Sequence, residues 1–115
     1  MNLKEYQDLC KKTAKEFDSP EKEIFIWGLG LTGEAGDVAG CIKKTYAHDN
    51  DQKVGIRENI GDMLWYVAMI CNFFNWDLEK ILNENIEKLK KRYPQGKFTT
   101  EHAKRDNKRI DWNEK

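Results

Sequence analysis

Two short stretches of the sequence place paired carboxylates one helical turn apart, each followed by a strongly apolar run. Glu34 and Asp37 are three residues apart, and Glu58 and Asp62 are four apart. Residues at these spacings share a helix face, where like charges destabilise the helix by about 0.2–0.5 kcal/mol per pair. A bound cation would offset this repulsion, and clustered hard oxygen ligands suit Mg²⁺ or Mn²⁺ rather than zinc.

A second interpretation is that these carboxylates are surface charges paired with Lys43, Lys53 or Arg57. Spacing alone does not decide between the two interpretations, because 35% of all residues are charged. The apolar stretches 38–42 and 63–67, one after each pair, favour the metal site.

The other motifs that could carry chemistry have structural explanations. Residues 28–33 spell GxGxxG, but a dinucleotide fingerprint needs a preceding strand, whereas residues 20–27 resemble a capped helix. Neither His48 nor His102 has a partner at metal-ligand spacing. The three cysteines form no CxxC pair and are expected to be buried free thiols in a reducing compartment: Cys10, Cys41 and Cys71.

The elements that must position the carboxylates are helices. Apolar residues recur three or four apart in four stretches, which are residues 2–17, 20–45, 54–75 and 78–92. Ser19 and Pro20 suit the N-cap and first position of the second helix. Its five glycines predict a break or kink between Gly28 and Gly33, or close approach of another backbone. No strand pattern is present, so we expect an all-α, antiparallel, four-helix bundle-like fold.

The third helix is apolar almost all round, and one small domain cannot cover every side of it. We therefore expect a second copy of the chain to complete the fold by dimerisation. Residues 1–96 are predicted to form a single helical domain. Residues 97–115 are expected to be a polar, basic, partly ordered tail, in which Thr99 or Thr100 caps a short extra turn.

The overall charge excludes some classes of partner. Lysine plus arginine and aspartate plus glutamate both total 20, so no net field attracts a nucleic-acid polymer or an anionic membrane. The longest apolar run, residues 63–70, is too short to span a bilayer. The first residues lack signal-peptide character, and the expected location is cytoplasmic.

Three motifs together resemble those of the MazG-like nucleoside triphosphate pyrophosphohydrolases. They are residues 33–39 (GEAGDVA), 58–66 (ENIGDMLWY) and 91–96 (KRYPQG). The resemblance covers roughly residues 29–98. It implies an all-α fold, homodimers or homotetramers, Mg²⁺ as cofactor, and hydrolysis of an NTP or dNTP to the monophosphate and pyrophosphate.

The resemblance also implies a ligand set, because the family's metal ligands follow ExxE and then ExxD. Glu34 and Asp37 occupy the first pair, and Asn59 and Asp62 the second. Asn59 stands where the family has a glutamate, which removes one negative charge but keeps a carbonyl oxygen. Glu58 is not a simple substitute, since one position is about 100° around a helix.

The expected mechanism is metal-assisted attack of water on the α-phosphorus, with Glu34 or Glu58 taking the proton. Four cations are candidates for binding the phosphates: Lys43, Lys44, Lys91 and Arg92. Trp27 and Tyr66 are the candidates for a base slot. A core role is favoured for Trp27, while both roles remain open for Tyr66.

Two alternatives remain at the level of sequence. One is a catalytically weak or inactive helical module that binds cations or a partner, because Asn59 replaces a ligand. The other is a related pyrophosphohydrolase acting on dUTP or phosphoribosyl-ATP. The preferred base and sugar, and the choice between dimer and tetramer, stay open.

Overall fold

The computed structural model describes residues 1–104, and this part of the chain is helical throughout, with no strand. The all-α class is therefore confirmed. A 3₁₀ turn (Lys11–Thr13) follows the first of five α-helices, which are α1 (Leu3–Cys10), α2 (Pro20–Ala47), α3 (Lys53–Phe73), α4 (Leu78–Arg92) and α5 (Thr100–Lys104). They fall into two compact units, Met1–Glu79 and a second from Lys80 onward. The end of the predicted tail, residues 105–115, lies outside the described residues.

The first helix is shorter than predicted. α1 ends at Cys10, and after the 3₁₀ turn Ala14 is extended, with ψ of 133°. The expectation of a helix to residue 17 is wrong because Ala14 and Phe17 reach the core from an extended segment. Apolar spacing alone does not distinguish this segment from a continued helix.

The second helix begins as predicted and is uninterrupted for 28 residues. The Ser19 hydroxyl accepts a hydrogen bond from the Lys22 backbone N–H (3.2 Å), and Pro20 opens the helix. The predicted break between Gly28 and Gly33 is absent. The close approach that glycine permits is at Gly30, where a Cβ would overlap the ring of Tyr66. The close neighbour is thus a side chain of α3 rather than a backbone.

Helices α2 and α3 pack as an antiparallel pair joined by residues 48–52. The Thr45 hydroxyl accepts a hydrogen bond from the Gln52 backbone N–H (2.9 Å) and closes the turn. Further along, Cys41 lies against Asn59. This register brings the middle of α2, which carries Glu34, beside the part of α3 that carries Asp62.

A buried glutamine joins α1 to the far end of α3. Gln7 is only 1% exposed, and its Nε2 donates to the Trp76 carbonyl (2.9 Å) and to Asn72 Oδ1 (3.1 Å). Its Oε1 accepts the Leu78 backbone N–H (2.9 Å), so every polar atom of this side chain is satisfied. The buried apolar residues of the described chain are Cys10, Trp27, Ala68, Met69, Cys71 and Leu78.

Large apolar side chains remain uncovered on α2 and α3. Leu29 is 69% exposed and Tyr46 is 77% exposed. We call this set the apolar surface, and it comprises Phe25, Ile26, Leu29, Ile42, Tyr46, Val54, Ile60 and Leu64. It is what the expected second copy would cover; dimerisation itself stays a prediction.

The second unit contains most of α4 and all of α5. Gly96 has φ of +72°, a conformation that favours glycine, and it lies in the turn after α4. The Thr99 hydroxyl accepts the His102 backbone N–H (3.1 Å), which confirms the predicted cap of a short extra turn. The rings of Tyr93 and Phe98 lie 5.8 Å apart. No helix within residues 1–104 combines the length and apolar character needed to cross a membrane.

Candidate functional site

An open cavity of about 440 Å³ is formed where α2, α3 and the 3₁₀ turn after α1 come together. This volume lies within the range of small-molecule sites in proteins. Its lining combines two carboxylates, two aromatic rings and one hydroxyl, which belong to Glu34, Asp62, Trp65, Tyr66 and Thr13. The packing of α2 on α3 thus unites one carboxylate from each acidic stretch.

The carboxylates of the cavity repel one another. Partial burial of Glu34, followed by the negative charges of Asp62 and Asp37, raises the pKa of the Glu34 carboxyl above its ordinary value. Within residues 1–104 no ion pair joins the four predicted acidic residues to Lys43, Lys53 or Arg57. The repulsion is therefore not relieved by a protein cation in the described part of the chain.

The chemistry of these donors fits Mg²⁺, although they do not form a closed cage. In the described range, no three or more His, Cys, Asp or Glu side chains are arranged to hold a metal ion. Mg²⁺ is commonly bound through one or two carboxylates and completed by waters and substrate phosphates. Glu34 and Asp62 supply that number of carboxylates in one cavity, while Asp37 is exposed and does not line it.

The remaining acidic stretch is arranged differently. Asn59 is half-buried and directs its Nδ2 toward Cys41 Sγ at 3.7 Å. Glu58 is exposed, and neither residue lines the cavity. Of the predicted ligands, the structure therefore brings Glu34 and Asp62 together and leaves Asn59 against α2.

The two predicted base-slot aromatics have different environments. Tyr66 lines the cavity and packs over Gly30. Trp27 is 3% exposed and meets the rings of Phe17 and Trp65 edge to face, with centroids 5.4 and 5.2 Å away. Trp27 is thus a core residue behind the cavity, the role that the sequence favoured for it.

The four predicted phosphate-binding cations are divided between the two units, and the two in the first unit do not line the cavity. Lys43 and Lys44 are exposed near the C-terminal end of α2. Lys91 and Arg92 are in the last turn of α4 in the second unit, where the Arg92 guanidinium lies 6.0 Å from the Tyr93 ring centroid. Their assignment to phosphates stays a prediction.

Comparison with known proteins shows which family the chain comes from. The sequence model of the MazG nucleotide pyrophosphohydrolase domain matches residues 27–97, more than half of the chain. The chain belongs to the MazG family. It is also 30% identical over 88 residues to "Gene 37 protein" of Mycobacterium phage L5, an alignment that covers 72% of this chain and 76% of that protein. No solved structure matches the chain.

Two cavity residues of this MazG-family chain were missed from the sequence. Trp65 lines the cavity and donates its Nε1–H to Thr13 Oγ1 at 3.0 Å. Trp65 could have been found, because it follows Asp62 by three residues and so shares its helix face. Thr13 could not have been found in this way, since it lies outside the family match and 52 residues from its hydrogen-bond partner Trp65.

Residues of α1 also lie close to the acidic cavity. Burial, then a hydrogen bond with the Cys10 thiol, and also the charge of Asp62, raise the pKa of Tyr6 to about 12. Tyr6 is therefore neutral throughout the physiological range. The segment before the family match thus contributes both a hydroxyl to the cavity lining and a neutral neighbour to Asp62.

Proposed function

We propose that this chain hydrolyses a nucleoside triphosphate, either an NTP or a dNTP, to the monophosphate and pyrophosphate in a Mg²⁺-dependent reaction. One observation carries the proposal. Glu34 and Asp62, from the two acidic motifs of the MazG-matched segment, line the same cavity. A fold match alone does not establish an activity, but carboxylates united at one cavity give that activity a site.

The chain's own groups have separable roles in this proposal. Glu34 and Asp62 would hold the cation together with the triphosphate, which supplies the other oxygens. Bound Mg²⁺ supplies Lewis acidity toward the phosphates and the attacking water. Glu34, the half-buried carboxylate of the cavity, accepts the proton of that water. The water oxygen bonds to the α-phosphorus as the bond to the bridging oxygen breaks, and pyrophosphate leaves.

A second copy of the chain is the proposed partner. The apolar surface supports it, because exposed apolar residues that run along two packed helices mark an interaction site. The mass of the assembly in solution distinguishes a dimer from a tetramer.

The decisive experiment is a substrate profile with an acidic variant. Wild type is mixed with Mg²⁺ and each of the eight common NTPs and dNTPs, dUTP and phosphoribosyl-ATP, and release of pyrophosphate rather than orthophosphate is measured. We expect Asp62→Asn to lower kcat/KM about 100-fold or more, because it weakens the hold on the cation that would stabilise the charge on the phosphates.

The matched control is Asp8→Asn, an exposed aspartate of α1 that pairs with Lys4 and Lys11. It should retain wild-type activity. Folded wild type that turns over none of the nucleotides would contradict the proposed function. Full activity in Asp62→Asn would contradict the site.

A second candidate function is a helical module that binds cations or a partner with little or no hydrolysis. The position of Asn59 favours it, because this residue replaces a carboxylate and points its amide at Cys41. This candidate predicts that Asn59→Glu creates hydrolysis where wild type has none, or raises its rate at least tenfold. Asn59→Gln introduces a neutral side chain of the same length as glutamate and should have no such effect. A fast wild type that is unaffected by Asn59→Glu excludes this candidate.

A further inference from the structure

A residue outside the family match forms a hydrogen bond with one of the aromatic side chains that line the cavity. The Trp65 indole N–H donates to Thr13 Oγ1 (3.0 Å), and the Thr13 hydroxyl in turn donates to the Cys10 carbonyl (3.3 Å). Because the single hydroxyl proton is used on the backbone, an oxygen lone pair is left for the indole. Thr13 is therefore a fixed acceptor rather than a freely rotating one.

The rest of the Trp65 ring is fixed by neighbouring aromatics. Its centroid lies 5.2 Å from that of Trp27 and 5.1 Å from that of Tyr66, with interplanar angles of 80° and 86°. Edge-to-face contacts of this kind are favourable and directional. With its N–H bound by Thr13, the indole has one defined orientation at the cavity.

The composition of the cavity suggests what this ring binds. The carboxylates Glu34 and Asp62 suit a cation with a triphosphate, and Trp65 lines the same cavity three residues after Asp62. Every nucleobase has a π-face, and stacking of a base on an aromatic side chain stabilises binding several-fold or more. A half-buried indole at the cavity therefore suits the base of the same nucleotide.

We infer that Trp65 is the stacking surface for the nucleobase and that Thr13, outside the MazG-matched segment, is the positioning residue that sets its orientation. This inference rests on the proposed function, since it concerns the nucleotide at that site. It predicts that the hydrogen bond affects ground-state binding of the base more than the chemical step at the α-phosphorus.

The test uses substitutions that remove the Trp65–Thr13 hydrogen bond and leave an aromatic ring at position 65. Thr13→Val keeps the shape and loses the acceptor, and Trp65→Phe keeps a ring and loses the N–H. We expect each to raise KM about fivefold, the effect of one lost hydrogen bond, with kcat changed less than twofold. The double variant should be no worse than the poorer single variant, because both remove the same interaction.

Two controls separate positioning from folding. Thr13→Ser keeps the hydroxyl and should restore wild-type KM. Thr32→Val removes an exposed threonine hydroxyl of α2 that donates to the Gly28 carbonyl of its own helix, and it should change neither KM nor Kd. Thermal unfolding of each variant reports whether the fold is intact, and KM is compared at a temperature where all are folded.

Binding of non-hydrolysable nucleotides tests the role of Trp65 and Thr13 in base binding separately from the proposed hydrolysis. Calorimetry with Mg²⁺ and the α,β-methylene analogues of the four common NTPs and the four common dNTPs measures Kd without turnover. Weaker binding by Thr13→Val and Trp65→Phe but not Thr13→Ser supports the inference, even if no nucleotide is hydrolysed. Hydrolysis with KM and Kd unchanged in Thr13→Val overturns the inference and leaves the function intact. Wild type that binds none of the analogues overturns both.

Discussion

Glu34 is a half-buried carboxyl group whose neighbours on both helices, Asp62 and Asp37, are also acidic. Its pKa is raised above the ordinary 4.5, so the folded chain keeps this proton to a higher pH than the unfolded chain does. Stability falls with pH wherever the folded state binds more protons. Without a cation, the ionisation of Glu34 therefore destabilises the fold as pH rises from about 4.5 through the raised pKa.

We predict that Glu34→Gln, in the absence of metal, raises the thermal unfolding temperature at pH 7 by a few degrees at most. The gain should shrink toward pH 4, where wild-type Glu34 is itself neutral. Added Mg²⁺ should then stabilise wild type more than the variant, because it neutralises a repulsion that the variant lacks. Calorimetric scans from pH 4 to 7, with chelator and then with Mg²⁺, measure both effects.

Glu16→Gln is the matched control for this prediction, since Glu16 is an exposed glutamate away from the cavity. It should show neither the pH-dependent gain nor the altered response to Mg²⁺. A Glu34→Gln variant that is less stable than wild type at pH 7 without metal would show that the carboxylate is held favourably, contrary to its acidic surroundings.

At the residue scale, the sequence predicted Glu34, Asp62 and Tyr66 of the cavity lining but not Trp65 or Thr13. Glu34 and Asp62 were predictable because charge within an apolar helical pattern is conspicuous. The Thr13–Trp65 hydrogen bond was not, because it joins residues 52 positions apart and depends on how the chain leaves α1. Nor does spacing indicate that Asn59 faces Cys41.

At the scale of helices, the packing of α2 on α3 depends on a missing side chain. The ring of Tyr66 occupies the space that a Cβ at Gly30 would need, while Gly28 has no neighbour within 4 Å at that position. Two glycines on one helix thus differ in role. One permits a contact, and the other only lowers helix propensity.

We predict that Gly30→Ala lowers the free energy of unfolding by about 1–3 kcal/mol, since the Tyr66 ring must shift from its present contacts with Trp27 and Trp65 to make room for the new Cβ. Gly28→Ala should raise it by about 0.5–1 kcal/mol, the ordinary gain of alanine in a helix. Urea unfolding followed by far-ultraviolet circular dichroism measures both. Equal stabilisation by the two substitutions would show that the ring moves aside without cost.

The sequence predicted the existence of α2, α3 and α4 and, for α4, the bounds as well. The sequence-based prediction was wrong at the end of α1 and at the glycines of α2. The apolar period of residues 2–17 continues past the end of α1, because a periodic pattern does not reveal that the backbone has become extended at Ala14. The five glycines of α2 predicted a break, but packing between helices keeps the helix continuous.

At the scale of the whole molecule, α2 carries both a predicted metal ligand and much of the apolar surface. Leu29 is 69% exposed only five residues before Glu34. The sequence could predict that such a surface exists, from a helix apolar all round, but not which side chains a second copy covers, because the packing within one chain decides what is left exposed.

We predict that Leu29→Glu shifts wild type from an assembly of at least twice 13.6 kDa toward the monomer, because it places a charge within an apolar interface. Leu9→Glu, at a half-exposed position of α1 outside the apolar surface, should leave the assembly unchanged. Size-exclusion chromatography with light scattering measures the masses. A monomeric wild type, or an unaltered Leu29→Glu assembly, contradicts the proposed partner.

The contact between Gly30 and Tyr66 also constrains the evolution of this chain. A lineage that acquires a larger residue at position 30 must first or simultaneously accept a smaller ring or another rotamer at position 66, because both cannot occupy the same space. The two positions should therefore covary across descendants. Since Tyr66 also lines the cavity, substitutions that change the packing of α2 on α3 should also change the shape of the cavity and the ligands that fit it.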